Sequence, residues 1–167
     1  MKKVALVIGG SGMLSNLSKE LAKEYDIVGV LGRSKSKMKS LLDVQKIMPI
    51  FGDYTNNNQL ERTLDNFVDH HGKPELVVSW VHSTAPEATN IVASYCTKNF
   101  YEITGHAGSE NDHLSRQHEK DIRKLGIAYH RVILGKHGDR WLNNGEISKG
   151  VGEAIGHATP EYLVGEL

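Results

Sequence analysis

At 167 residues, with 39% apolar and 24% charged side chains, the chain has the composition of a globular domain and the length for one core, so a single domain over 1–167 is expected. Lys plus Arg and Asp plus Glu both number 20, so the formal charge is zero and the charge balance favours neither nucleic acid nor an anionic membrane as partner. No apolar run approaches the roughly 18 residues of a membrane span, and the lone Cys96 has no partner for an internal disulfide, which makes a cytoplasmic location the expectation.

Short β-branched runs alternate with longer amphipathic stretches almost to the end of the chain. Val4 to Ile8 is a continuous apolar run, as in a strand buried on both faces. Leu14, Leu17 and Leu21 recur at helical spacing, Ile27 to Leu31 reads as a second strand, and a basic segment around Ser36 to Leu42 leads to a third near Ile47 to Phe51. Leu60, Leu64, Phe67 and Val68 share a helical face that "TNNNQ" opens and Gly72-Lys73-Pro74 closes. Leu76 to Val81 reads as strand four, and "TAPE" at Thr84 to Glu87 matches a capping box, so a helix is expected directly after it. Phe100 to Thr104 follows as strand five; Leu114, His118, Ile122 and Leu125 trace a helix; Ala128 to Leu134 makes strand six. Ile147, Val151 and Ile155 mark a last helix before a short strand at Tyr162 to Val164, while 105–113 and 135–145 read as loops. Right-handed crossovers then fold this order into an α/β, three-layer doubly wound parallel sheet of the Rossmann kind, with about seven strands and ligands at their carboxyl ends.

The stretch that carries chemistry follows the first strand. Gly9-Gly10-Ser11-Gly12, continuing through Met13 and Leu14 into a helix, clears space for a phosphate beside bare backbone N–H groups. The fit to the dinucleotide fingerprint is partial, because Ser15 stands where its last glycine would be, and the alternative is a purely structural turn. After strand two, where an acid would bond the free ribose of NAD, the chain reads Leu31-Gly32-Arg33-Ser34-Lys35. A guanidinium beside a hydroxyl suits a 2′-phosphate, so NADP is expected; the alternative is a solvated basic loop.

With "VALVIGGSGML", the "GRS" after strand two, "GDY" at Gly52 to Tyr54 and "VVSWVHSTAPE" after strand four, the chain resembles the short-chain dehydrogenase/reductase family, especially its atypical, shortened members. The resemblance is close over the first 105 residues or so and holds beyond them only in the order of elements. It implies that Asp53 and Tyr54 lie beside the adenine, and that the segment from Trp80 through Val81 and His82 to Ser83 lines the ribose and nicotinamide.

The same resemblance implies a Tyr-x-x-x-Lys pair on the helix after strand five, and the chain lacks one. Tyr95 and Lys98 are three apart and one helix early, and by position His118 falls near the Tyr and Ile122 at the Lys. His82 and His106 could donate protons near neutral pH, and Thr104 could offer a hydroxyl to a carbonyl oxygen. Their alternatives are a backbone-bonded loop histidine, a solvated one and the end of a strand. The remaining histidines suggest no metal site: His70 and His71 are neighbours that point apart, and His113 and His118 are five apart. Asp139-Arg140-Trp141 could cover a substrate or meet a partner chain, or Trp141 could pack under the next helix ahead of its Asn143 cap and Glu146, the reading preferred. The expectation is an NADP(H)-binding protein that reduces a small carbonyl compound, with assembly into a homo-oligomer left open; the alternative is a catalytically silent NADP(H)-binding regulatory or redox-sensing module.

Overall fold

The structure is a computed structural model that describes residues 2–9, 12–82, 84–105 and 108–167, with the side chains of 108–111 outside that description. Its sheet has seven strands: β1 (Val4–Ile8), β2 (Ile27–Gly32), β3 (Ile47–Phe51), β4 (Leu76–Ser79), β5 (Asn99–Gly105), β6 (Ala128–Leu134) and a last one, β9 (Glu161–Val164). They are parallel and ordered β3-β2-β1-β4-β5-β6-β9. The chain builds outward from β1 to β3, then returns to place β4 on the other side of β1. That reversal opens a crevice at the carboxyl ends of β1 and β4.

The helices are α1 (Ser15–Leu21), α2 (Lys35–Met38), α3 (Asn57–His71), α4 (Ala88–Ala93), α5 (Gly108–Lys124) and α6 (Asn144–His157). Side chains alternate across a strand, so β1 feeds both sides of the sheet. Ala5 and Val7 join Leu17, Leu21, Val151 and Ala154 in one core cluster, under α1 and α6. Val4, Leu6 and Ile8 join Leu60, Leu64, Val92 and Ile122 in the other, under α3, α4 and α5. The expected α/β doubly wound parallel sheet is the observed one. Its helix boundaries follow local chemistry at two of the expected places. Asn56 caps α3, its side chain accepting from Gln59 N–H, and α3 ends at Gly72 with φ of 93°. Asn143 and Glu146 form a reciprocal capping box on α6.

Four local expectations are corrected. Strand four ends at Ser79, two residues short of Val81, although Trp80 N–H still bonds the Ile8 carbonyl. "TAPE" caps nothing: α4 begins only at Ala88, because Thr84 and Ala85 donate their N–H groups to His82, and Glu87 accepts from the Asn57 side chain. Within 105–113 helix α5 already starts, and within 135–145 a short antiparallel hairpin forms, β7 (Lys136–His137) with β8 (Arg140–Trp141). Trp141 is not packed beneath α6; it is 67% exposed, with the Lys136 ammonium over its ring at 4.8 Å. Leu142, directly before the cap, packs on the core cluster that contains Ile147 in its place.

Candidate functional site

The first turn of the crevice is shaped by contact between backbones. Gly9 has φ of 75°, and its N–H bonds the Leu31 carbonyl at 3.1 Å. A Cβ on Gly9 would collide with the Trp80 carbonyl oxygen, so no side chain fits there. Gly12 differs: the nearest atom to a Cβ there is Lys37 Cδ at 4.0 Å, and nothing in the fold itself requires a glycine. The turn then enters α1, which has seven residues, no side-chain cap and no acid in its first turn. Leu14 is fully buried, so only its backbone can reach a ligand. Met13 packs partly against the core, and its carbonyl accepts from Ser148 Oγ at 2.8 Å, while that Oγ accepts from Leu17 N–H at 3.2 Å. One serine of α6 therefore pins the turn.

Around the carboxyl ends of β2 and β3 the expected residues do converge. The Arg33 guanidinium is 68% exposed and lies 4.0 Å from Asp53 Oδ1. Asp53 is mainly engaged elsewhere: it accepts from Thr55 Oγ1 at 2.6 Å and Thr55 N–H at 3.0 Å, bonds that, with a smaller contribution from Arg33, hold its carboxyl below the ordinary range. Ser34 caps α2, accepting from Lys37 N–H at 3.4 Å, and shares a hydrogen bond with Ser36 at 2.9 Å. The cap explains why the chain turns here and directs Lys37 toward Gly12. Lys37 was not singled out from the sequence, where it is one of several lysines in a basic run. The Tyr54 hydroxyl accepts from His82 N–H at 3.2 Å, and its ring would lie 3.5 Å from a Gly9 Cβ, so Tyr54 braces both sides of the crevice.

Beyond the turn, at the ends of β4 and β5, is a cavity of about 190 Å³ between the sheet and α5. Trp80, Val81, His82 and Thr104 all line it. His82 is exposed and its Nδ1 accepts from Thr84 N–H at 3.3 Å. That is the backbone-bonded alternative, and it also leaves the neutral ring's proton on Nε2. Thr104 Oγ1 accepts from Arg131 Nε at 3.2 Å, and Arg131 is anchored in turn on Asp112 at 2.7 Å. With an acceptor site of Thr104 occupied, its own proton is available to a ligand oxygen. Ser11, Ser83 and His106 lie outside the described residues.

The same cavity exposes what sequence reasoning missed. Glu102, in the middle of β5, is 6% exposed; its Oε2 is 2.6 Å from His118 Nδ1 and its Oε1 accepts from the Tyr129 hydroxyl at 2.5 Å. Glu102 and His118 both line the cavity. The available signal was an acid inside an otherwise apolar parallel strand, "NFYEIT". Burial opposes charge on His118, but the hydrogen bond and the charge of Glu102 outweigh it, so its pKa is raised. Ser79, one strand over and in register with Glu102, is buried, and its hydroxyl has no hydrogen-bond partner among the described residues. Among the described residues no group of three His, Cys, Asp or Glu side chains is arranged to hold a metal ion, and no helix is long and apolar enough to cross a membrane.

No protein-family model and no curated protein matches the sequence. Solved structures do match the fold. A metagenomic short-chain oxidoreductase in complex with NADP superposes with a TM-score of 0.76 at 13% identity, over 99% of this chain and 98% of that one. A short-chain dehydrogenase from Streptomyces avermitilis gives 0.78 at 11%, over 99% and 89%. An NADH-dependent reductase complexed with NAD gives 0.72 at 12%, over 99% and 95%. The chain thus has the architecture of short-chain dehydrogenase/reductase structures.

Proposed function

We propose that this chain, built on the short-chain dehydrogenase/reductase fold, binds NADP(H) and reduces a small carbonyl compound. The observation that carries the reading is the pairing of an open Gly12 with a solvent-exposed Arg33 whose one ion pair is long. A Cβ at Gly12 would meet nothing nearer than Lys37 Cδ at 4.0 Å, and the guanidinium is solvent-exposed, with its nearest acid already held by Thr55. That is the layout a diphosphate with a charged ribose would need. Two solved structures of the same fold carry NADP or NAD, which supports a pyridine dinucleotide.

In this reading Gly9, Ser11, Gly12 and the backbone at Met13 and Leu14 face the diphosphate. Arg33 and Ser34, joined by Lys37, meet the 2′-phosphate; Asp53 and Tyr54 border the adenine; Trp80, Val81 and Ser83 border the ribose and nicotinamide. Reduced nicotinamide, when bound, would supply hydride to a carbonyl carbon. His82, Thr104 and His106 would orient or protonate the oxygen. A cytoplasmic location and assembly with a second copy that completes the small cavity belong to the same proposal.

A second reading has its own support. Ile122, at the position of the missing Lys, is fully buried in an apolar cluster and can do no chemistry, which favours a silent NADP(H)-binding module. Calorimetric titration with NADPH, followed by nicotinamide absorbance with a panel of aldehydes and ketones, separates them. Binding with turnover supports the reductase; tight binding without turnover supports the silent module; no binding of either dinucleotide at millimolar concentration ends both.

A further inference from the structure

The alternation of β5 puts Phe100 and Glu102 on the face that packs against α5. Phe100 obeys that position: it joins Ile122 and Tyr129 in an apolar cluster. Glu102 breaks it, and so does His118 opposite, which is 3% exposed. A carboxylate buried between a helix and a sheet is retained only where its charge is met. Here both oxygens are used, one by His118 Nδ1 and one by the Tyr129 hydroxyl, from two different elements.

Nδ1 is thereby committed, and the ring's remaining reactive atom is Nε2. That nitrogen is buried and, among the described residues, has no hydrogen bond of normal geometry, although the Pro86 carbonyl lies near enough to favour the ring's proton; the ring lines the cavity at the end of β5. We infer that Glu102, His118 and Tyr129 form a buried acid–base relay in which His118 Nε2 gives a proton to the oxygen of a small, uncharged aldehyde or ketone held in this cavity.

The inference rests on the oxidoreductase reading and names the proton donor that stands in for the absent Tyr-x-x-x-Lys. The balance closes. The carbonyl carbon gains a hydride from the reduced dinucleotide, which is left oxidised; the oxygen gains the Nε2 proton; the product is an alcohol. His118 is left neutral, its other proton held on Nδ1 by Glu102, and solvent restores the one lost. The groups that face His118 are Glu102 on β5, Tyr129 on β6, Asp121 on its own helix and the Pro86 carbonyl from the turn before α4, with His82 also lining the cavity. Burial lowers the pKa of His118, but Glu102, then Pro86 and Asp121, raise it further than burial lowers it, so the donor form persists to higher pH than in an ordinary histidine. Burial and Glu102 push the Tyr129 phenol up, which keeps it a donor to the carboxylate throughout. The walls at Val81, Ile103 and Leu114 are apolar and the volume is about 190 Å³, which fits a short aliphatic or alicyclic carbonyl.

The test uses the full chain, NADPH, and butanal and cyclohexanone as probes. His118→Gln should bind NADPH within twofold of the parent, yet lose at least about 100-fold in kcat. Glu102→Gln should keep part of the turnover and move the alkaline fall of the pH–rate profile to lower pH, because the donor loses the charge that holds its proton. In the ligand-free protein, ¹⁵N spectra of the imidazoles should show His118 doubly protonated above the ordinary histidine midpoint, and Glu102→Gln should abolish this. If His118→Gln fails to fold, Glu102→Gln and the spectra decide. Equal kcat in His118→Gln and parent, a His118 that is neutral at pH 6, or tight NADPH binding with neither probe reduced would each overturn the relay while leaving dinucleotide binding intact. Failure to bind NADPH would remove the parent reading, and the relay with it.

Discussion

Gly9 and Trp80 meet backbone to backbone across the crevice: the α-carbon of Gly9 lies so near the Trp80 carbonyl oxygen that any side chain would overlap it. Gly9 also has φ of 75°, which side chains adopt only with strain. Gly12, three residues on, meets neither condition, since a Cβ there would have only Lys37 nearby. The two glycines of one turn therefore have different duties, and substitution separates them. Gly9→Ala is expected to destabilise the protein by about 3 kcal/mol or more. Gly12→Ala should change stability by no more than about 0.5 kcal/mol, while weakening dinucleotide binding at least tenfold by intruding on the diphosphate's space. Urea unfolding and calorimetric titration of both variants make the comparison; a Gly12→Ala protein that binds normally would reduce the turn to a structural role.

Arg33 sets the choice between the two pyridine dinucleotides. Its contact with Asp53 is long, at 4.0 Å, and well exposed, so little is lost from the fold when it is removed. Hydrogen bonds to charged groups contribute about 1.5–3 kcal/mol, so Arg33→Ala should weaken NADP(H) by roughly ten- to a hundredfold and NAD(H) by less than about twofold. Paired titrations measure both, and equal losses would contradict the assignment of the 2′-phosphate to this guanidinium.

Ser148 joins α6 to the turn by accepting from Leu17 N–H and donating to the Met13 carbonyl, in a position that is nearly inaccessible to solvent. Ser148→Ala leaves both backbone groups unpaired in the interior, and a loss of about 1–3 kcal/mol is expected. Thermal unfolding reports it. Amide exchange at Leu17 should accelerate as well, an effect a general loss of packing elsewhere would not single out.

The capping box of α6 should appear in acid. Glu146 is held down to about 2 from an ordinary 4.5, first by its hydrogen bond to Arg140, then by Asn143 N–H. A depressed folded-state pKa adds stability above the unfolded value that is lost as pH falls through the folded one. The contribution is thus complete above about pH 4.5 and gone near pH 2. Exposure to solvent screens it, so the effect is small, but its sign is definite. Glu146→Gln should flatten the stability curve over that window, and a curve parallel to the parent's would show that the box contributes nothing.

Much of this molecule is legible along the chain. The strands at Val4–Ile8 and Ile47–Phe51 have the expected bounds, α3 opens within "TNNNQ" as expected, and the cap at Asn143 is readable with Glu146 three residues on. Where reading failed, a competing contact had intervened. "TAPE" has the pattern of a cap, yet His82 takes the N–H groups of Thr84 and Ala85 and delays the helix to Ala88. Trp141 looked like a staple, but the hairpin of β7 and β8 turns it to solvent beside Lys136 and leaves Leu142 to pack.

The sequence by itself determined the alternating elements, the doubly wound sheet and the positions of the glycine turn and of Arg33, because periodicity, caps and glycine turns are settled among residues a few places apart. Only the tertiary structure decided which glycine the fold requires, that Ser148 pins the turn from 135 residues away, and that Glu102 meets His118 and Tyr129 inside the cavity. Those contacts join different elements, and whether a buried carboxylate finds its partners depends on how a strand and a helix are stacked, which no local pattern encodes.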